Sequence, residues 1–330
     1  VTALYAKGWP ARAAEVAQKT LDHYSQYFFP AAFARMRLLL AMSKYQLMDY
    51  PGTLAECSLI LNSGIGVLNL KLNALAHLTA ARCRLNTGEI DLMWEHITTV
   101  QHYRLDEHYR DIHEELCTLL GDSHRMLGSI APAITYYRSA GIRKVVNFES
   151  MRSQVHLVHA YMLSGELEQA DTLLNELIAA AHEAELGDNY LVLEIIQSEL
   201  HFQLGDIPLS KQEMKLVVDE AKKRQINSLQ GYGAYVLGST DRLAGNYQEA
   251  RQYLNAALTT SRQYRNYWME VSTLSELVLL NQAEGMADAQ TEKDLQCVVD
   301  KLKDKLHVPE LLEAYAAFRR DKLSLLQKSQ

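Results

Sequence analysis

Apolar residues recur along this chain at helical spacing, in runs separated by short polar breaks. The clearest stretch is 231–264. Tyr235, Val236, Leu237, Leu243 and Ala244 supply a first apolar run, and Tyr247, Ala250, Leu254, Ala257 and Leu258 follow at i, i+3, i+7, i+10 and i+11. Steps of three and four place side chains on one face of a helix. Between the runs, Gly245-Asn246 predicts a helix stop and a short turn, because glycine takes the left-handed conformation without steric cost. Ala250 and Ala257 let the second helix lie close against the first. Such a hairpin has more apolar surface than it can cover alone, so it must stack on others.

The hairpin repeats. Gly165, Gly205, Gly245 and Gly285 stand 40 residues apart. Gly128 lies 37 before Gly165, Gly88 lies 40 before Gly128, Asp49 lies 39 before Gly88, and Gly8 lies 41 before Asp49. In four registers an alanine follows five residues later: Ala13, Ala133, Ala170 and Ala250. A period of this length marks stacked supersecondary units. The prediction is an all-α fold, a right-handed α-solenoid (superhelix) of about eight helix hairpins over 1–306. A C-terminal helix over 307–330, entered at Pro309 and striped by Leu311, Leu312, Tyr315, Phe318, Leu325 and Leu326, either caps the last hairpin or connects to a further domain. Only seven residues precede Gly8, against about 14 before the other turn glycines. The first hairpin is therefore expected to be truncated and the chain to be part of a longer protein.

These motifs resemble tetratricopeptide repeats. Leu237-Gly238, Gly245, Tyr247, Ala250, Tyr253 and Ala257 fall in the relative places of that pattern, as do Leu120-Gly121, Gly128, Ala133, Tyr137 and Ala140. The likeness runs over essentially the full length but is weak around Asp49 and Gly285. The period departs from the usual 34, being about 40. Longer units with polar connectors, such as 186–190 and 264–268, are similar to repeats of bacterial signalling proteins, including sensor regions of STAND-type transcription activators, and to those of kinesin light chains. The resemblance implies a concave groove lined by the first helix of each unit. By register this gives Glu115, Thr118, Asp122 and Arg125; then Arg152, Val155, His159 and Met162; then Val192, Ile195, Glu199 and Phe202; then Tyr232, Tyr235, Ser239 and Arg242. Aromatic and arginine side chains most often dominate binding energy. The expected contacts are therefore Tyr232, Tyr235, Arg242 and Phe202, with Glu199, Arg125, Asp122 and Arg152 beside them.

Composition narrows the function. No stretch nears 18 continuous apolar residues, so no membrane span is expected. Cys57, Cys83, Cys117 and Cys297 are scattered, which suits reduced thiols in a cytoplasmic protein. A net charge of −7 without a basic stripe argues against direct nucleic-acid binding. Five of the twelve histidines fall at His96, His102, His108, His113 and His124, and His113 and Cys117 lie one helical turn apart. No third and fourth ligand is evident, so neither a metal nor another cofactor is expected. A pH response of this segment is conceivable, because histidine titrates near neutrality.

No nucleophile elbow, phosphate-binding loop or paired-carboxylate motif is present, so an enzyme is not expected. The sequence predicts a scaffold that binds a protein or peptide in its concave groove, as the sensor or regulatory region of a larger cytoplasmic signalling or transcription-regulating protein with an attached output domain. A free-standing assembly adaptor and a small-molecule inducer sensor are the alternatives. Tyr232→Ala with Tyr235→Ala is expected to abolish binding without changing the melting temperature.

Overall fold

The computed structural model describes residues 1–6, 9–24, 29–64, 69–103, 109–141, 148–183, 190–286 and 288–306. The described residues form helices joined by turns. In chain order these are α1 (Thr2–Ala6), α2 (Pro10–Tyr24), α3 (Pro30–Gln46), α4 (Tyr50–Leu61), α5 (Leu70–Asn86), α6 (Ile90–Gln101), α7 (Arg110–Met126) and α8 (Ile130–Ala140). The second half comprises α9 (Phe148–Ser164), α10 (Leu167–Glu183), α11 (Tyr190–Gln203), α12 (Ile207–Lys223), α13 (Asn227–Leu243), α14 (Tyr247–Gln263), α15 (Tyr267–Ala283) and α16 (Ala289–Leu306). Consecutive pairs make eight hairpins among the described residues, and second helices pack on the first helix of the next unit except at α6, where α7 packs on α5 instead. Gly8 and the segment 307–330 fall outside the described residues.

The turn that closes each hairpin has one geometry. Gly88, Gly128, Gly165, Gly205, Gly245 and Gly285 have φ between 69° and 93°. The residue after the glycine donates its N–H five residues back, as from Asn246 to the Asp241 carbonyl at 2.8 Å, which satisfies a carbonyl the helix end leaves open. In the second unit the register expected at Asp49 belongs to Met48, whose φ is 62°. Asp49 instead caps α4, accepting from Gly52 N at 2.9 Å. The carboxylate was one residue off because it serves the following helix start rather than the preceding stop.

Two further departures come from the turns between hairpins. The polar stretch 264–268 is not a long connector. Tyr264, Arg265 and Asn266 make the whole turn, with Arg265 at φ 54° and Asn266 N–H bonded to the Ser261 carbonyl at 2.9 Å. The same geometry recurs at Gln225 (φ 57°). Left-handed residues therefore recur every 20 positions from Gly205 to Gly285, bounding helices that are mostly 17 residues long. From Gly205 to Gly285 the extra length over a 34-residue unit is added to both helices rather than to the turns. The other departure is that α13 starts at Asn227, four residues before the expected boundary at Gly231. Gly231 and Gly233 lie inside the helix, where a Cβ would sit 2.9 Å from Thr260 Cγ2 and 2.5 Å from Val218 Cγ2 respectively. They mark close approach, not a helix end.

Second helices bury one narrow stripe, such as Ala250, Leu254, Ala257 and Ser261 in α14. The position five after the turn residue is sealed in most units: Ala13, Thr53, Met93, Ala133, Ala170, Ser210 and Ala250 are all nearly or fully buried. First helices are buried more widely; α5 buries ten of its residues, α6 four. They form the inner layer. Leu120-Gly121 and Leu237-Gly238 are the sites where the two layers touch, since a Cβ on Gly121 would lie 2.4 Å from Tyr137 Cε1 and one on Gly238 2.6 Å from Leu254 Cγ.

The superhelix closes on itself after five units. Asn227 and Ser228 at the start of α13 donate to the carbonyls of Leu47 (3.1 Å) and Gln46 (3.3 Å) at the end of α3. The buried Trp268 of α15 donates from Nε1 to the Leu85 carbonyl of α5 at 2.6 Å. Leu302 of α16 packs over Gly88, where a Cβ would be 2.4 Å from its Cδ2. Arg224 lies over the Trp9 ring at 5.7 Å. Each of these contacts spans one superhelical turn, and together they seal units one to three against units six to eight.

Candidate functional site

Closure narrows the expected open groove to a partly enclosed interior. A cavity of about 260 Å³ remains there. Its lining comes from Tyr5 of α1, Met42 and Tyr45 of α3, Tyr50 of α4, Thr79, Arg82 and Asn86 of α5, Asp122 of α7, and Arg152 and His156 of α9. Leu191 and Val192 of α11 complete the wall, together with the seam residues Gln46, Ile226, Ser228, Leu229 and Asn266. The apolar lining is Met42, Leu191, Val192, Ile226 and Leu229. The rest of the wall presents amides, hydroxyls, two guanidinium groups, a carboxylate and an imidazole.

The polar wall is braced by links between neighbouring first helices. Glu115 of α7 pairs with both Arg82 of α5 and Arg152 of α9. Asp122 accepts from the Tyr137 hydroxyl at 2.7 Å and faces His156 Nδ1 at 2.6 Å. Arg125 donates to the Tyr137 hydroxyl at 3.2 Å. Further along, Glu199 accepts from the Tyr232 hydroxyl and pairs with His159 Nε2, both at 2.8 Å. Arg242 meets Glu276 at 2.8 Å. On the N-terminal side, Asn86 donates to the Tyr45 hydroxyl at 2.7 Å.

Burial and charge set the ionisation of this layer. Burial alone would raise the Asp122 carboxyl, but the facing His156, Arg125 and the Tyr137 hydroxyl hold it well below the usual aspartate range. Burial lowers His156, reinforced by Arg125 and Arg152 and opposed by Asp122. Asp122 is therefore an ionised carboxylate that accepts from Tyr137 and has His156 and Arg125 beside it. Burial pushes the Tyr232 phenol well up, with Glu199 adding to it, and pushes Tyr45 up to about 12.

The eight side chains expected in the groove thus have distinct fates. Asp122 and Arg152 line the cavity. Arg125, Glu199, Tyr232 and Arg242 do not line it and are engaged in the links just described. Tyr235 is 8% exposed and packs in the core, and Phe202 is half-buried. Among the companions named by register, Thr118, Val155, Met162 and Ile195 are also buried. Removing both tyrosines would cost core packing and a hydrogen bond, so a melting temperature left unchanged by Tyr232→Ala with Tyr235→Ala is no longer expected. Tyr45, Arg82, Asn86 and His156 were missed. Extending the same register from Gly88 would have found Arg82, but Met42 and Tyr45 fall on it only when counted from Met48 rather than Asp49, and Ser228 and Asn266 reach the cavity only through closure.

Of the histidine-rich segment, His113 Nε2 lies 3.5 Å from Cys117 Sγ, and His108 is outside the described residues. Among the described residues no group of three or more His, Cys, Asp or Glu side chains could hold a metal ion. His96 instead meets His77, which lies outside that segment, Nδ1 to Nδ1 at 2.9 Å. Cys57, Cys83 and Cys117 are buried and Cys297 is exposed. No described helix is long and apolar enough to cross a membrane.

No protein-family model matches the sequence, and no curated protein matches it. Structural likeness reaches further. A Rap protein complexed with competence and sporulation factor aligns with a TM-score of 0.57 over 97% of this chain and 98% of its own, at 11% identity. The Rap conjugation gene regulator of plasmid pLS20, in complex with the Phr* peptide, aligns at 0.54 over 98% and 96%, at 12% identity. The Cut9–Hcn1 hetero-tetramer of APC/C aligns at 0.57 over 89% of this chain and 54% of that one, at 14% identity. At these identities the likeness establishes the fold: an α-solenoid of tetratricopeptide-type hairpins.

Proposed function

We propose that this chain is a recognition module that takes a peptide, or one end of a protein segment, into the interior of its superhelix. It would act as the sensor or regulatory part of a larger cytoplasmic signalling or transcription-regulating protein. The observation that carries this reading is the cavity, where first helices from successive units and the closure seam bring polar and apolar side chains together. Two full-length structural neighbours described with bound peptide or factor support it.

The volume limits how a peptide sits. About 260 Å³ is slightly below the usual range of ligand sites, and an extended chain needs ~3.3 Å per residue. One terminal residue or one side chain fits inside, with the rest of the peptide at the mouth. The same volume favours, as a second reading, a compact small-molecule inducer. Selection of random linear peptides on the full chain, followed by affinity measurement against Val192→Phe, tests the first reading. Val192 is a half-buried residue of the apolar lining, so the larger ring fills the cavity while leaving the polar links intact. Loss of binding of the selected peptides with retained folding is expected. Equal binding to both proteins would place the recognition surface elsewhere.

A further inference from the structure

Among the residues lining the cavity, the charged side chains are Arg82, Arg152 and Asp122, with His156 as the group able to titrate near neutrality. Asp122 is the acceptor of this set, and it is already occupied by His156 and Tyr137. Several donors of the wall already have partners: Arg82 and Arg152 pair with Glu115, Asn86 with the Tyr45 hydroxyl and Ser228 with the Gln46 carbonyl. Each guanidinium nevertheless carries five N–H groups, and the two share a single carboxylate, so donors remain in excess there. A donor-rich, partly enclosed wall suits an anionic group, because charge-assisted bonds to guanidinium are the strong ones.

We propose, on the basis of the reading above, that the cavity binds a ligand through a carboxylate-type anionic group and that His156 takes up a proton as it does so. His156 stands at the place where such a group would change its charge balance. From α7 it faces Asp122 and Arg125; from α8 the Tyr137 ring is edge-on at 5.8 Å; on its own helix it neighbours Arg152. Arg82 of α5, Tyr45 of α3, Tyr50 of α4 and Tyr5 of α1 face it across the cavity. Burial disfavours the imidazolium, Arg125 and Arg152 add to that, and the facing Asp122 opposes them. Arg82 and Arg152 share one carboxylate, that of Glu115, so an anionic group seated against them balances the second cation and adds its own attraction for the imidazolium. Linkage then fixes the sign: a ligand that raises the histidine's proton affinity binds more tightly as pH falls, by at most about tenfold for every tenfold rise in that affinity.

N-acetyl-L-leucine and N-acetyl-L-leucinamide form a matched pair of probes, with the same apolar body and either a carboxylate or a neutral amide. Affinities measured calorimetrically at pH 7.5 and pH 5.5 give the test, since the acid's carboxylate stays ionised at both. Wild-type protein is expected to bind the acid at least fivefold more tightly at pH 5.5, and to bind the amide more weakly with no pH trend. His156→Gln, which keeps a donor toward Asp122, should retain the preference for the acid but lose its pH trend; Arg152→Gln should lose the preference. An amide bound as well as the acid, an acid affinity flat with pH, or no binding of either probe overturns this proposal. The peptide selection with Val192→Phe would still judge the broader reading on its own.

Discussion

Gly121→Ala tests the contact between the two layers of the solenoid. A methyl group there would fall 2.4 Å from Tyr137 Cε1 and 2.6 Å from Cδ1. The ring cannot simply rotate away, because its hydroxyl donates to Asp122 at 2.7 Å and receives Arg125 at 3.2 Å, and the side chain is almost fully buried. Overpacking a dense core costs about 1–3 kcal/mol. Relief by moving the ring would forfeit a hydrogen bond to a charged group, worth about 1.5–3 kcal/mol. Against this, alanine is favoured over glycine in a helix interior by about 1 kcal/mol. The balance is a net loss of about 1–2 kcal/mol, read as a lower urea midpoint by circular dichroism with unchanged slope. In a Tyr137→Leu background the clash is gone and the same substitution should be neutral or stabilising. A Gly121→Ala protein more stable than wild type, or an equal cost in both backgrounds, would refute the close-packing argument.

Acid sensitivity should follow Asp122. Its folded carboxyl is held below the ordinary value of 3.8, so the stability it contributes is full well above that value and is lost progressively as pH falls from there toward the lower folded pKa. Asp122→Asn should therefore flatten the loss of stability between about pH 5 and pH 3 in urea titrations, while lowering stability at neutral pH; an unchanged slope would contradict the assignment. Arg265→Gly relieves a left-handed, exposed residue at φ 54°. It should raise stability by about 0.5–1 kcal/mol in the same assay, since the strain of a side chain there is about 1–2 kcal/mol and glycine's greater unfolded freedom offsets part of it. A loss would mean that the side chain holds the turn.

Much of this architecture was legible in the sequence because it is local. A turn glycine, the buried position five residues on, and three-and-four spacing all act within one hairpin, and they gave eight units and an all-helical solenoid. Met48 escaped because a methionine in the left-handed region carries no signal beside the obvious capping Asp49. Of the residues expected from the register, Asp122 and Arg152 line the cavity. Whether the groove is open was not legible. That depends on the pitch of the superhelix, which here lets residues about 180 positions apart, such as Leu85 and Trp268, meet. Pitch comes from small rotations summed over units, to which no single residue is tied. Side chains expected to await a partner are therefore engaged with one another, and part of the cavity wall comes from a seam that periodicity cannot reveal.

Closure itself is open to direct measurement, since the chain has only three tryptophans and their indole protons can be told apart by substitution. Trp268 is buried with its indole bonded to the Leu85 carbonyl at 2.6 Å, whereas Trp94 is 38% exposed on α6. In nuclear magnetic resonance of the full chain, the Trp268 indole proton should exchange with solvent far more slowly than that of Trp94. It should also show a through-space cross-peak to Leu85 of the third unit. Exchange as fast as Trp94, with no contact between the eighth unit and the third, would mean an open solenoid and would remove the partly enclosed cavity on which the account rests.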